Sequence, residues 1–427
     1  MKRTLFFLGL LCISLQAFCQ TEPVNYRTAI NRFIHFYNQT QPDSLYALFA
    51  PNVTGTMTAA QNRASITQLQ GSLGMINKAT FVRIDSGVAS YNADFAKASA
   101  TMRIKLNNRN QFEGLLFSNY QAKETAVPAG NPYVAESPFS YKGLNATING
   151  TLTLPKNASG KIPVVLIIAG SGPTDRNGNS SIGLNSNTYK LLAYELGKNG
   201  IAALRYDKRI IGQAVTPASE KVLRFDNFVD DAVGLITQLH DDPRFSKVIV
   251  FGHSEGSLVG MLSVVDEPAA AFISAAGAGV MADKLVTDQL KSQPDFIKNN
   301  FKAVLDTMRR GKINENVDPA LYSVIRPSVQ PYLMSWFRYD PAKEIKKVKV
   351  PVLIVQGNND VQVSADNAEK LKKAKSEAQL VIIPGMNHIL KQAPLPRDQN
   401  LLTYTNPDLP IDPTLVTTVV AFINKLK

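Results

Sequence analysis

Cysteine is almost missing from this chain of 427 residues: there are two, Cys12 and Cys19, and both fall in the first nineteen positions. Beyond that point no disulfide, cysteine nucleophile or thiolate-bound zinc or iron–sulfur centre can be built, so stability must come from ordinary packing. A thiol-free chain suits an oxidising compartment. Also missing after the first twenty residues is any apolar run long enough to span a bilayer, which excludes a multi-span membrane protein. Histidine is scarce, with four in all, and this narrows the search for a proton carrier. Acidic residues are outnumbered by basic ones, 34 to 46, for a formal charge of +12. That surplus favours acidic partners, yet the densest runs, Lys343 to Lys349 and Lys370 to Lys375, have no interleaved aromatics on which bases could stack. No nucleic-acid partner and no stable membrane insertion are expected.

Residues 1–19 read as an export signal: Lys2 and Arg3 precede an apolar run from Leu5 to Leu15, and Ala17-Phe18-Cys19 then offers small residues before Gln20. The mature chain is expected in the periplasm or outside the cell, with a charge lowered from +12 to +10 by the loss of Lys2 and Arg3. A lipid anchor on Cys19 is disfavoured, because such a site wants a small residue where Phe18 stands.

Two folded units are expected from the length. In residues 24–119, Ile30, Phe33, Ile34 and Tyr37 recur at helical spacing, and a second helical stretch carries Leu45, Leu48 and Phe49. Ala98 to Leu106 then alternates, Asn107 to Asn110 makes a turn, and Phe112 to Phe117 returns as a strand. This is a small α+β domain. Residues 121–137, rich in Pro, Gly and Ala, read as a linker. From 138 to 427, apolar strands alternate with helices: Pro163 to Ile168, Ile201 to Tyr206, Lys247 to Phe251, Ala271 to Ser274, Val352 to Gln356 and Gln379 to Ile383. That pattern predicts an α/β domain, a mostly parallel sheet wrapped by helices. No internal repeat is found.

The chemistry gathers at strand ends. Gly252-His253-Ser254-Glu255-Gly256 follows the strand Val248 to Phe251 and precedes a helical stretch, the strand–turn–helix setting of a nucleophile elbow. Ser254 is the candidate nucleophile. Its hydroxyl needs a base, and His388, in the loop beyond the last apolar strand, is chosen over His35, His240 and His253, which are read as structural. An acid must orient that imidazole from a neighbouring strand end, and Asp360, in Gly357-Asn358-Asn359-Asp360, fits where Asp340 and Asp366 do not. No cofactor and no metal site are implied.

The elbow, the acid turn and the His388 loop make the region from about Tyr133 to Lys427 resemble an α/β-hydrolase. Gly170 to Arg176 and Leu204 to Arg209 resemble segments of bacterial esterases and serine-aminopeptidase-like hydrolases, with departures at Asn177 and Ile210. The resemblance implies an oxyanion hole at the backbone amides of Ser171 and Glu255. It also implies a helical cap at about 280–345, where Tyr332, Leu333, Met334, Trp336 and Phe337 could line an acyl pocket, although most of them are expected in a helix-packing core. Asp175, Arg176 and Asp207 are read as an ion-pair network bracing the loop after the first buried strand, outside the catalytic set. The front domain resembles the cystatin-like cones of the nuclear-transport-factor-two superfamily. Dimerisation, substrate capture or spacing are the roles open to it, a homodimer among them.

The expected function is a serine esterase that cleaves small-molecule carboxylic esters through an acyl-enzyme intermediate. A peptidase or amidase with the same triad is the alternative, followed by a binding protein with a relic hydrolase domain. Aspartate-nucleophile dehalogenases and epoxide hydrolases of this fold are disfavoured by Ser254.

Overall fold

The computed structural model describes residues 21–55, 59–85, 87–122, 131–143, 146–180, 184–209, 217–291, 293–318 and 321–426. The expected export signal and Ile210 lie outside them. The chain divides into two compact units, 1–123 and 124–427.

In the smaller unit, helices Val24–Asn38, Pro42–Tyr46, Pro51–Thr54 and Ala59–Leu73 precede a four-stranded antiparallel sheet. Its strands are β1 (Ile76–Asp85), β2 (Val88–Phe95), β3 (Ala98–Leu106) and β4 (Phe112–Ala122), ordered β1-β2-β3-β4. Phe33, Tyr37, Phe95, Met102 and Phe112 form the core between helix and sheet. The hairpin read from the sequence is β3 and β4. Strands β1 and β2 extend it, and β1 escapes the alternation because most of its residues are exposed.

The larger unit carries an eight-stranded sheet. Its strands are β5 (Val134–Lys142), β6 (Thr147–Pro155), β7 (Ile162–Ile168), β8 (Ala202–Tyr206), β9 (Phe245–His253), β10 (Ala271–Ala275), β11 (Val352–Gly357) and β12 (Gln379–Ile383). They lie in the order β5-β6-β8-β7-β9-β10-β11-β12. The first two pairings, β5 with β6 and β6 with β8, are antiparallel; all the rest are parallel. Of the linker expected at 121–137, residues 123–130 lie outside the described residues. Strand β4 enters it at one end and β5 at the other. Strand β5 is an edge with mostly exposed side chains and a proline, Pro138, which an edge tolerates because its outward amide needs no ladder partner.

Successive side chains of a strand point to opposite faces, and β7 shows both faces filled. Val164, Leu166 and Ile168 face a core shared with helices Asp226–Asp241 and Glu255–Ser263; Val165 and Ile167 face helices Thr188–Lys198 and Pro413–Asn424. Double burial is why these strands read as unbroken apolar runs. The last helix is started by Asp412, whose carboxylate accepts the amides of Thr414 and Leu415 at 2.7 and 3.2 Å.

Between β10 and β11 lie helices Ala282–Gln289, Asp295–Met308, Tyr322–Ile325 and Gln330–Trp336, in the place expected for the cap. A 3-10 turn that begins at Pro327 separates the helix Tyr322–Ile325 from Gln330–Trp336. Tyr332 and Leu333 are buried in the helix-packing core, and Trp336 stacks on Phe225 with ring centroids 5.8 Å apart. Among the described residues no helix is long and apolar enough to cross a membrane.

Candidate active site

The turn between β9 and the helix Glu255–Ser263 is built by close backbone approach. A Cβ on Gly252 would stand 2.3 Å from the carbonyl oxygen of Gly256, and one on Gly256 would stand 2.4 Å from that of Ile168. Only glycine fits at either place. The compression leaves Ser254 at φ 56°, a left-handed conformation that non-glycine residues rarely adopt, and its amide is held by the Ala275 carbonyl at 2.9 Å. The half-buried Ser254 side chain thus stands where the helix begins.

His388 lies in the loop after β12 and brings Nε2 to 3.1 Å from Ser254 Oγ. Its Nδ1 is 2.8 Å from Asp360 Oδ2. An ionised carboxylate can only accept, so Nδ1 carries the proton and Nε2 presents a lone pair to the hydroxyl. Asp360 is itself fixed: Oδ1 accepts the amides of Gln362 and Val363, each at 2.8 Å, and Oδ2 accepts from the buried Gln356 Nε2 at 2.9 Å. Burial works to raise the Asp360 pKa. The charge and hydrogen bond of His388, with the two amides, outweigh it and leave the carboxyl below its ordinary value. The three residues read from the sequence therefore meet in one hydrogen-bonded line.

The other three histidines differ from one another. His35 and His240 are exposed rather than packed. His253 is buried beside the nucleophile, and its bonds form a second line running through the backbone. Its Nε2 lies 2.7 Å from the carbonyl oxygen of His388, so Nε2 must carry the proton and donate. Its Nδ1 then accepts from the Tyr189 hydroxyl at 2.8 Å, and that oxygen accepts the amide of Gly170 at 3.0 Å. Burial chiefly, then the neighbouring His388, pushes the His253 pKa down to about 3, so the ring stays neutral. The sequence placed His253 next to the nucleophile but offered no sign of this tie; its partner Tyr189 reads as one more apolar helix position.

The segment Arg205 to Arg209 fans out at the end of β8. Arg205 pairs with Glu136, Asp207 with Arg176 at 2.5 Å, Lys208 with Glu255 at 2.8 Å and Arg209 with Asp231 at 2.6 Å. The expected network of Asp175, Arg176 and Asp207 needs correcting in one member. Asp175 closes its own turn instead, its carboxylate accepting the amides of Asn177 and Asn179 at 2.8 and 2.9 Å. Glu255, one residue past Ser254, also accepts from the Tyr332 hydroxyl of the cap at 2.6 Å. Burial, then the Glu255 carboxylate, pushes the Tyr332 pKa well up, so that hydroxyl remains a donor. Ser171, whose amide is expected to face an oxyanion, follows Gly170, and a Cβ on Gly170 would lie 3.2 Å from the Ser254 Cβ. Among the described residues no group of three or more His, Cys, Asp or Glu side chains is placed to hold a metal ion.

A mostly parallel sheet in which β6, next to the leading edge, runs against the other strands, an elbow after β9, and an acid and a histidine after β11 and β12 give the larger unit an α/β-hydrolase fold. The family model described as serine aminopeptidase, S33, matches residues 182–332, a span that holds Ser254 and ends before Asp360 and His388. The chain is similar to Esterase EstD of Thermotoga maritima, with 25% identity over 316 residues that cover 72% of this chain and 73% of EstD. Among solved structures, Est1E from Butyrivibrio proteoclasticus shares 19% identity over 67% of this chain and 99% of its own, at a TM-score of 0.46. The Pyrococcus furiosus esterase Pf2001 shares 14% identity over 69% and 93%, at a TM-score of 0.43.

Proposed function

We propose that this protein is a carboxylic ester hydrolase working through an acyl-enzyme intermediate, with Ser254, His388 and Asp360 as its catalytic residues. The line of hydrogen bonds from Asp360 through His388 to Ser254 Oγ carries the reading. In it, Ser254 Oγ attacks the ester carbonyl while His388 Nε2 takes its proton, and Asp360 holds the ring in the tautomer that leaves Nε2 free to do so. Negative charge then grows on the carbonyl oxygen, and the amides of Ser171 and Glu255 are the donors proposed to meet it. The tetrahedral intermediate collapses, His388 returns the proton to the departing alcohol oxygen, and the C–O bond breaks. Water, deprotonated by the same nitrogen, later attacks the acyl carbon and releases the acid and the free serine. The similarity to EstD, a protein named as an esterase, supports ester over amide.

A peptidase or amidase reading is favoured by one observation, the match of residues 182–332 to a family described as serine aminopeptidases. Paired ester and amide substrates of the same acyl group separate the two: faster ester turnover supports the first, and faster amide turnover replaces it with the second. A fluorophosphonate probe should label the wild-type chain and leave Ser254→Ala unlabelled. Failure to label the wild type would remove both enzymatic readings in favour of a binding protein.

The chain is further proposed to be exported, on the strength of Lys2, Arg3 and the Leu5 to Leu15 run. Sequencing the amino terminus of the mature protein tests this, with Gln20 as the expected first residue. For the smaller unit a cystatin-like cone that pairs two copies of the chain is proposed, and the mass in solution checks it.

A further inference from the structure

The ammonium of Lys208 takes no part in the reaction described above, yet it touches both sides of the nucleophile. It lies 3.1 Å from the carbonyl oxygen of Gly170 and 2.8 Å from Glu255 Oε1, and its side chain is only 5% exposed. The Phe228 ring covers it, with the centroid 4.4 Å from Nζ. Each of its two oxygen partners leads directly to an amide proposed to hold the oxyanion.

The first connection runs through a peptide plane. The carbonyl of Gly170 and the amide of Ser171 belong to one trans peptide, so they point in opposite directions in a common plane. A cation fixed on the oxygen therefore fixes where the Ser171 N–H is aimed. It also draws electron density toward the carbonyl and makes that N–H a stronger donor. The other edge of Gly170 is held as well, by the Tyr189 hydroxyl on its amide at 3.0 Å. The second connection is direct. Glu255 follows Ser254, opens the helix Glu255–Ser263, and supplies the other proposed donor from its own backbone. Its side chain is held between Lys208 and Tyr332. An unpaired buried carboxylate so near a forming oxyanion would oppose it, and the ammonium offsets that charge.

We propose that Lys208 is a positioning residue for the oxyanion: one buried ammonium anchors the Gly170–Ser171 peptide and the Glu255 side chain, and so aims both amides at the tetrahedral intermediate. This rests on the ester-hydrolase reading. A buried ion pair serving the fold alone behaves differently, because deleting both charges together relieves the burial cost on each side and should restore stability and turnover alike.

The test uses the full chain, p-nitrophenyl acetate as substrate, and a trifluoromethyl ketone that adds reversibly to an active serine. For Lys208→Met, and for Lys208→Met combined with Glu255→Gln, kcat is expected to fall about 10- to 100-fold with KM changed less than about two-fold. Ketone affinity should fall in parallel with kcat/KM in both variants. Should Lys208→Met fail to fold, the double variant still reads the effect, since neither charge is left unpaired. A folded double variant with wild-type kcat, or a loss confined to KM, overturns the proposal while leaving the ester hydrolase standing. A wild-type chain that neither turns over the ester nor takes a fluorophosphonate overturns the underlying reading and this proposal with it.

Discussion

His253 donates its Nε2 proton to the backbone carbonyl of His388 at 2.7 Å, and the two rings stand 5.0 Å apart. The residue before the nucleophile thus holds the main chain of the residue that serves it, although 135 positions separate them. The Tyr189 hydroxyl extends this tie to Gly170, so three loops share one buried, fully bonded line.

That line should show in the acid stability of the protein. His253 titrates near its ordinary value of 6.5 when unfolded and at about 3 when folded. Between those values the unfolded chain binds a proton that the folded chain refuses, so stability falls as pH drops from about 6.5 toward 3. Urea midpoints measured across this range should slope less in His253→Gln than in the wild type. Equal slopes would show that His253 does not set them. At neutral pH the same substitution should cost about 1–3 kcal/mol by leaving Tyr189 or the His388 carbonyl without a partner.

Asp360→Asn should separate orientation from fold. The amide oxygen can still accept from the Gln362 and Val363 amides, but its NH2 would face His388 Nδ1 and favour the tautomer that puts the proton on Nε2. A fall in kcat of about 10⁴-fold is expected, with little change in the thermal midpoint. A variant that keeps a tenth of the wild-type rate would mean that Asp360 does not orient the ring.

Gly256→Ala tests the elbow itself. The new methyl would meet the carbonyl oxygens of Ile168 and Ala169 at 2.4 and 2.6 Å, backbone atoms of a doubly buried strand that cannot move aside. A loss of about 3 kcal/mol or more is expected in denaturant titrations, or no soluble protein at all. Wild-type stability would show that the turn has room to relax.

Lys391 makes a prediction of the same sign as His253, in a higher pH window. It is fully buried beyond the His388 loop, its ammonium held by the carbonyls of Ser186 and Asn406 at 2.5 and 3.0 Å. Burial pushes its pKa from 10.5 down to about 8. Between about 8 and 10.5 the unfolded chain holds a proton that the folded chain has given up, so this group adds stability as pH rises through that window. The difference in unfolding free energy between wild type and Lys391→Met should therefore shift in favour of the wild type from pH 8 upward. A pH-independent difference would sink the assignment.

Legibility in the sequence followed burial. Strands β7, β9 and β11 are buried on both faces, so their apolar runs stood out. The linker expected at 121–137 overlaps the first four residues of β5, and β1 carries no alternation, because most of the side chains of both strands face outward. In β2 the buried positions are Ala89, Tyr91, Ala93 and Phe95, an alternation weakened by its alanines. At the site, Ser254, Asp360 and His388 could be read from residue type and position, whereas Lys208, Tyr189 and Gln356 could not. A lysine in a basic segment, a tyrosine in an amphipathic helix and a glutamine ending a strand carry no local mark of what they will touch.

What the sequence determined by itself was whatever short-range sterics control: the glycine-flanked turn that forces Ser254 to positive φ, and the doubly apolar strands that had to lie inside a sheet. Tertiary structure decided the contacts between distant positions, His388 with Ser254 across 134 residues and Lys208 with Glu255 across 47. It also decided which ring nitrogen carries each proton. The reason is that a buried polar group must be bonded to whatever the folded chain brings beside it, and no neighbour along the chain specifies that partner.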